Sequence, residues 1–233
     1  MNGDLGQPLP ALYQVNGLCG HACLIPQIPE TDLTAVGPDG LQIELPAQLA
    51  RAVPKRKNEF LAGRLCCARA LCDLGCNEIS VPMGQYREPI WPQGIVGAIS
   101  HDADIACAIV AKQSDYRGIG IDMEKMICQD NARRLFSQIA TDTEQILLLS
   151  RFSQRVACTV LFSAKEAVYK ALFPVVDRFI DFKEARCVAL ERNLLSFVFT
   201  AEDLQSLTHY LQVSYEISET RVLTLCLLKA ECK

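Results

Sequence analysis

A chain of 233 residues, half of them hydrophobic and 21% charged, has the length and composition to bury the core of one domain or two small ones. Its formal charge of −4 lacks the basic excess of a nucleic-acid binder, and no apolar run reaches the roughly 18 residues of a membrane span. The first residues, with Asp4, Pro8 and Pro10, lack the charged start and apolar run of a secretory signal, so a soluble, cytoplasmic protein is expected. Twelve cysteines would suit a disulfide scaffold in a short secreted chain, but here most lie in apolar runs, such as Cys107 in Ile-Ala-Cys-Ala-Ile. They read as reduced, buried core residues.

Residues 1–50, rich in Pro and Gly, read as short strands and loops. Cys19-Gly20-His21-Ala22-Cys23 would place three metal-ligand side chains on one face of a strand. A structural zinc site takes four ligands and the sequence offers no clear fourth, so a strand of small side chains is the preferred reading. Residues 47–75 read as helix, with Pro54 near a start, Gly75 at an end, and Phe60, Gly63, Cys67, Leu71 and Leu74 as a core stripe. Between Arg51 and Arg69 stand six basic residues and one acidic one, a surplus of five suited to an anionic ligand. Arg56 and Arg64, roughly 80° apart around a helix, either converge on one ligand or stay solvated, as Arg usually is.

Tyr86-Arg87-Glu88-Pro89-Ile90-Trp91-Pro92 reads as extended and proline-stiffened, with Trp91 in the core. Residues 96–99 and 105–110 read as a strand pair, with His101 exposed in the polar turn at the strand end. A polar connector, 112–118, is the expected boundary between halves 1–112 and 113–233.

Gly118-Ile119-Gly120-Ile121-Asp122-Met123-Glu124 reads as a strand whose alternation sends Asp122 and Glu124 to the same face. Adjacent carboxylates repel unless a cation lies between them, and Mg²⁺ is a cation that takes such oxygen ligands. Residues 125–150 contain an amphipathic helical segment. The recurrence of Val156, Val160, Leu161, Ala164, Ala167, Val168, Ala171 and Leu172 predicts a helix stopped by Pro174. Glu166 and Lys170 share a face of it, either as a surface ion pair or as a third carboxylate and a phosphate-binding cation. Residues 186–190, 195–200 and 221–228 read as strands, with 210–215 as a fourth.

Gly-Ile-Asp122-Met123-Glu124, followed about forty residues on by Phe162-Ser-Ala-Lys165-Glu166-Ala-Val-Tyr-Lys170, resembles the signature of the 4'-phosphopantetheinyl transferase superfamily. Arg56-Lys57-Asn58-Glu59-Phe60-Leu61-Ala62-Gly63-Arg64, Arg87-Glu88-Pro89-Ile90-Trp91-Pro92 and Ile99-Ser100-His101 are similar to upstream blocks of its enterobactin-synthase-component-D and surfactin-type group. Phe162 departs from the surfactin-type pattern, in which a Trp is more typical.

The resemblance implies an α+β pseudo-dimer of two similar α/β halves with the active site in the cleft between them. It also implies Mg²⁺-dependent transfer of 4'-phosphopantetheine from coenzyme A to a serine of an acyl or peptidyl carrier protein, releasing 3',5'-ADP. On this reading Arg56, Arg64, Arg87, Glu88, Pro89, Ser100, His101, Lys165 and Lys170 contact coenzyme A. Asp122, Glu124, Glu166 and the backbone of Met123 hold the metal, and Glu166, Lys170 and Asp122 carry the chemistry. The nucleophile would come from the partner, so no nucleophile-base triad is needed, and a pseudo-dimer would work as a monomer without nucleic acid or membrane. The alternative is a non-catalytic coenzyme A or carrier-protein binding module of the same fold. A structural divalent-cation site, or another phosphoryl-transfer enzyme, ranks behind both.

Overall fold

The computed structural model describes residues 7–8, 17–26, 34–36 and 40–230, and divides into two compact units, Met1–Lys112 and Gln113–Lys233. Both units lay a long helix on an antiparallel sheet, an α+β arrangement.

In the first unit, β1 (Gln7–Pro8), β2 (Leu18–Leu24), β5 (Ile95–His101) and β6 (Ile105–Lys112) form a sheet ordered β1-β2-β6-β5, and β3 (Thr34–Val36) pairs with β4 (Gln42–Glu44). The helix expected over 47–75 is a 3-10 turn at Ala47–Leu49 followed by α1, Pro54–Asp73. Pro54 starts α1 because a first-turn position needs no N–H, and Gly75 follows its end at φ +80°, where only glycine is unstrained. The single core stripe expected for α1 is too narrow, since Asn58 through Leu71 are all buried. One side packs Ala62, Cys66, Cys67 and Ala70 on Cys23, Ala106, Ala108 and Val110 of the sheet, while Phe60 and Leu61 gather Leu49, Ile43, Leu45 and Met83 on another. Residues 82–90 close a tight hairpin rather than running extended: Gly84 and Ile90 donate to the Glu88 and Pro82 carbonyls, and Arg87 sits at φ +68°. Trp91 lies against the core beside Gly97.

The second unit builds a five-stranded sheet, β7-β11-β10-β9-β8, from β7 (Tyr116–Lys125), β8 (Ala185–Glu191), β9 (Leu194–Phe199), β10 (Leu211–Ile217) and β11 (Arg221–Lys229). The polar connector is only 113–115, because β7 already begins at Tyr116. Helices α2 (Gln129–Ile139) and α3 (Asp142–Leu149) precede α4 (Gln154–Val176), and a short α5 (Glu202–Gln205) follows β9. Pro174 does not stop α4: it falls in the last turn, where its missing N–H forfeits one bond, and the helix ends at Asp177 in the left-handed region. Ala157, Val160, Leu161, Ala164, Val168 and Leu172 of α4 pack with Phe197, Val213, Tyr215, Val222 and Cys226 of the sheet in one buried core.

The units share a connectivity that no residue repeat announces. In each, a strand that precedes the long helix pairs with the last strand of the final antiparallel hairpin: β2 with β6 and β7 with β11. Among the described residues eleven cysteines are free, seven of them buried, and no helix is long and apolar enough to cross a membrane.

Candidate active site

Two glycines determine how the second unit assembles its charged groups. A Cβ at Gly118 or Gly120 would run into the backbone carbonyl of Ala171 or Ala167, so β7 presents a groove in which α4 lies almost on the strand backbone. Alternation puts Asp122 and Glu124 on that same helix-facing side, and Met123 on the opposite one. The ammonium of Lys170 then reaches across to Asp122, donating to Oδ1 at 2.7 Å and to the Ile121 carbonyl at 3.1 Å. Asp122 is buried, with 4% of its surface exposed, and Glu124 is half-buried at the strand's end.

Glu166 lies one turn before Lys170. Burial pushes its carboxyl above the ordinary range, the charge of Asp122 adds to the rise, and Lys170 opposes it. Two carboxylates thus compete for one ammonium, with Glu124 beside them. That surplus of hard oxygen donors suits a divalent cation by its chemistry and by the side of the strand it occupies. Among the described residues no three acidic, His or Cys side chains converge on a common point, and Asp122 Oδ1 meets Lys170.

Ser163 and Thr224 belong to this site although the sequence reading passed them over. Ser163 Oγ donates to the Asp122 carbonyl at 3.2 Å and lies 2.9 Å from Thr224 Oγ1, while Thr224 stands opposite Asp122 in the β7–β11 register. Both are buried hydroxyls on apolar elements, and such a polar residue inside a core stripe was the available signal.

Lys165, expected to contact the ligand, lies apart from this group. Its ammonium is buried and donates to the Ile139 and Phe182 carbonyls at 2.7 Å each, with Glu144 Oε1 at 2.8 Å. Glu144 also accepts from Cys187 N at 2.9 Å and closes a capping box with Thr141 at the start of α3. Consecutive helical residues point about 100° apart, so Glu166 and Lys165 cannot both face β7. Phe162 stacks near Phe182, ring centroids 5.7 Å apart.

In the first unit, Arg56 from α1 and His101 from the end of β5 meet, with Nη1 and Nε2 3.4 Å apart. The buried carboxylate of Glu59 lies 3.8 Å from each. Arg64, one to two turns further on, rests its guanidinium 4.6 Å from the centroid of the Phe60 ring and donates to the Pro82 carbonyl at 3.4 Å. Burial lowers the affinity of Arg64 for its proton, and nearby Arg56 lowers it further. Ser100 is buried, whereas Arg87 is exposed. Glu88 accepts from Tyr86 N at 2.7 Å and shapes the turn that carries Arg87, leaving Pro89 in the bridge to Met83. The first turn of α1 carries no acid. Lys55, Arg56 and Lys57 at a helix N-terminus oppose the macrodipole, a local cost that an anionic ligand would offset.

The remaining motif with ligand chemistry, Cys19 to Cys23, is strand β2. His21 Nε2 lies 2.6 Å from Asp73 Oδ2, and Cys23 Sγ is directed at the Ala62 carbonyl and Cys66.

Comparison with known proteins bears on both units. Residues 45–111 match the 4'-phosphopantetheinyl transferase N-terminal domain, and residues 118–226 match the 4'-phosphopantetheinyl transferase superfamily. Enterobactin synthase component D of Salmonella typhimurium is 45% identical over 126 residues, 53% of this chain, and the chain spans about half, 51%, of that relative's length. The 4'-phosphopantetheinyl transferase PptT of Mycobacterium tuberculosis is 35% identical over 59% of this chain and 60% of its own. Enterobactin synthase component D of Escherichia coli is 34% identical over 182 residues, 77% of this chain and 81% of the relative. With both units matched and the five motif blocks in order, the chain belongs to the 4'-phosphopantetheinyl transferase superfamily.

Proposed function

We propose that this protein transfers 4'-phosphopantetheine from coenzyme A to a serine of an acyl or peptidyl carrier protein, releasing 3',5'-ADP. The observation that carries the reading is the grouping of Asp122, Glu166 and Lys170 across the glycine groove of β7, in a chain of this family. Asp122, Glu124 and Glu166, with the Met123 backbone, would hold Mg²⁺. When bound, that cation would neutralise charge on the pyrophosphate.

The side chains themselves do the rest. Lys170 reaches the Asp122 carboxylate, and the same ammonium would stabilise a phosphate leaving group. Glu166, whose carboxyl holds its proton more readily than an ordinary one, is suited to accept the serine proton. In the first unit Arg56, Arg64 and His101 supply donors for coenzyme A phosphates, Ser100 directly precedes His101 in β5, and the Arg87-Glu88-Pro89 hairpin offers Arg87 to the nucleotide end. Lys165 is assigned no ligand contact here. The catalytic reading is preferred to a binding module because Asp122, Glu124, Glu166 and Lys170 are all present, with Lys170 in contact with Asp122.

The test is mass spectrometry of an apo carrier protein incubated with this protein, coenzyme A and Mg²⁺. A gain of about 340 Da, the transferred group of an in-line displacement, is expected. It should vanish with EDTA and with Glu166→Ala. Coenzyme A binding without any mass gain on several carriers would replace this reading with the binding module.

A further inference from the structure

Glu59 has no assigned task, yet it lies at the centre of the first unit's cationic group. Its carboxylate is 9% exposed and lies 3.8 Å from Arg56 Nη1, 3.8 Å from His101 Nε2 and 3.8 Å from Lys55 Nζ. Lys55 and Arg56 reach Glu59 from one turn earlier on α1, but His101 arrives from the end of β5. Gly63 of α1 packs on Ile99 of β5, one turn beyond Glu59 and two residues before His101: a Cβ at Gly63 would lie 3.0 Å from Ile99 Cγ2.

We propose that Glu59 is a positioning residue of the coenzyme A grip: its buried carboxylate holds Arg56 and His101 side by side as a preformed pair of phosphate donors. The assignment rests on the function proposed above. Arg56 and a protonated His101 would repel at 3.4 Å, and a carboxylate equidistant from both offsets that repulsion before any ligand arrives. The acid is turned inward, beneath the pair, while Lys55 at the rim is largely exposed.

The sign of one substitution separates this role from its opposite. Glu59→Gln keeps the shape and removes a negative charge from the neighbourhood of an anion, so simple electrostatics demands tighter binding of coenzyme A. Positioning demands weaker binding, because the pair loses the group that aligns it. Calorimetry with coenzyme A and with 3',5'-ADP should show the dissociation constant of Glu59→Gln raised about tenfold, the loss of one charge-assisted contact. KM for coenzyme A should rise in parallel while kcat changes little, and Glu59→Asp should recover part of the loss. Glu59→Gln combined with His101→Ala should lose less than the sum of the two single losses, since Glu59 acts in part through His101.

Unchanged or tighter binding by Glu59→Gln, or strictly additive losses in the double variant, would overturn the assignment. Should the glutamine variant fold poorly, the single and double comparisons made in Glu59→Asp decide the same point. A wild-type protein that binds neither probe would instead remove the coenzyme A reading itself, and the grip with it.

Discussion

Replacing Gly120 by alanine tests the physical basis of the site, because one methyl group would be forced into the space that α4 occupies. The Cβ would meet the carbonyl of Ala167, with the Ala167 carbonyl carbon 2.7 Å and Ala171 N 2.9 Å away. All three obstacles are helix backbone, so no rotamer change relieves them and α4 must lift from β7. Overpacking of this kind costs about 1–3 kcal/mol, and a backbone obstacle belongs at the upper end. For a chain of this size that is a fall of about 5–10 °C in Tm. Lifting α4 also breaks the 2.7 Å contact of Lys170 with Asp122, and misplacement of a reacting group by about 1 Å lowers transfer on the order of 10²-fold. Thermal melts and the carrier-loading assay read the two effects together. Gly63→Ala is the control: its Cβ meets only the movable Ile99 Cγ2 at 3.0 Å and gains helix propensity, so its net change should stay within about 1 kcal/mol. If Gly120→Ala retained wild-type Tm and activity, close approach of α4 would not be what assembles the acids and Lys170.

Lys165→Met should leave the Glu144 charge buried and cost about 3–5 kcal/mol in urea unfolding, with part restored in the Lys165→Met, Glu144→Gln double variant. An undiminished stability with a raised KM for coenzyme A would return Lys165 to the ligand. Glu166→Gln should abolish transfer yet raise Tm in EDTA at neutral and alkaline pH. Its carboxyl is raised above the ordinary value in the folded state, so the ionised form costs stability above that folded value, and the cost disappears as pH falls towards the ordinary one. Melts from alkaline pH down through the ordinary glutamate value of 4.5 should show the gain shrinking in acid, and a constant gain would refute the cause. Arg64→Lys loses the planar contact with Phe60 and should raise KM for coenzyme A about tenfold with kcat little changed, as steady-state kinetics will show.

The strands and helices that carry the chemistry were legible in the chain because their signals are local. Alternation put Asp122 and Glu124 on one side of β7, and four-residue spacing put Glu166 beside Lys170, whatever the rest of the protein did. The five motif blocks gave the family for the same reason. Local signals misread the places where a neighbour overrules them. Pro174 reads as a stop but falls in the last turn of α4, which continues past it with one bond forfeited, and Tyr86 to Pro92 reads as extended but turns back on Met83.

Partnership was the part that only tertiary structure decided. Lys165 and Lys170 are the same residue type five positions apart on one helix. The first is directed at Ile139, Phe182 and Glu144 and the second at Asp122, a difference set by what packs on each face of α4. Glu59 reads as a lone acid diluting a basic stretch until β5 brings His101 to it, and Ser163 reads as a polar interruption until Thr224 arrives from 61 residues away. Sequence specifies which face a side chain takes because that depends on backbone period alone. The group it meets there depends on loop closures and packing distances that no local pattern encodes, in the second unit governed by glycines at 118 and 120 whose missing Cβ atoms let α4 come close.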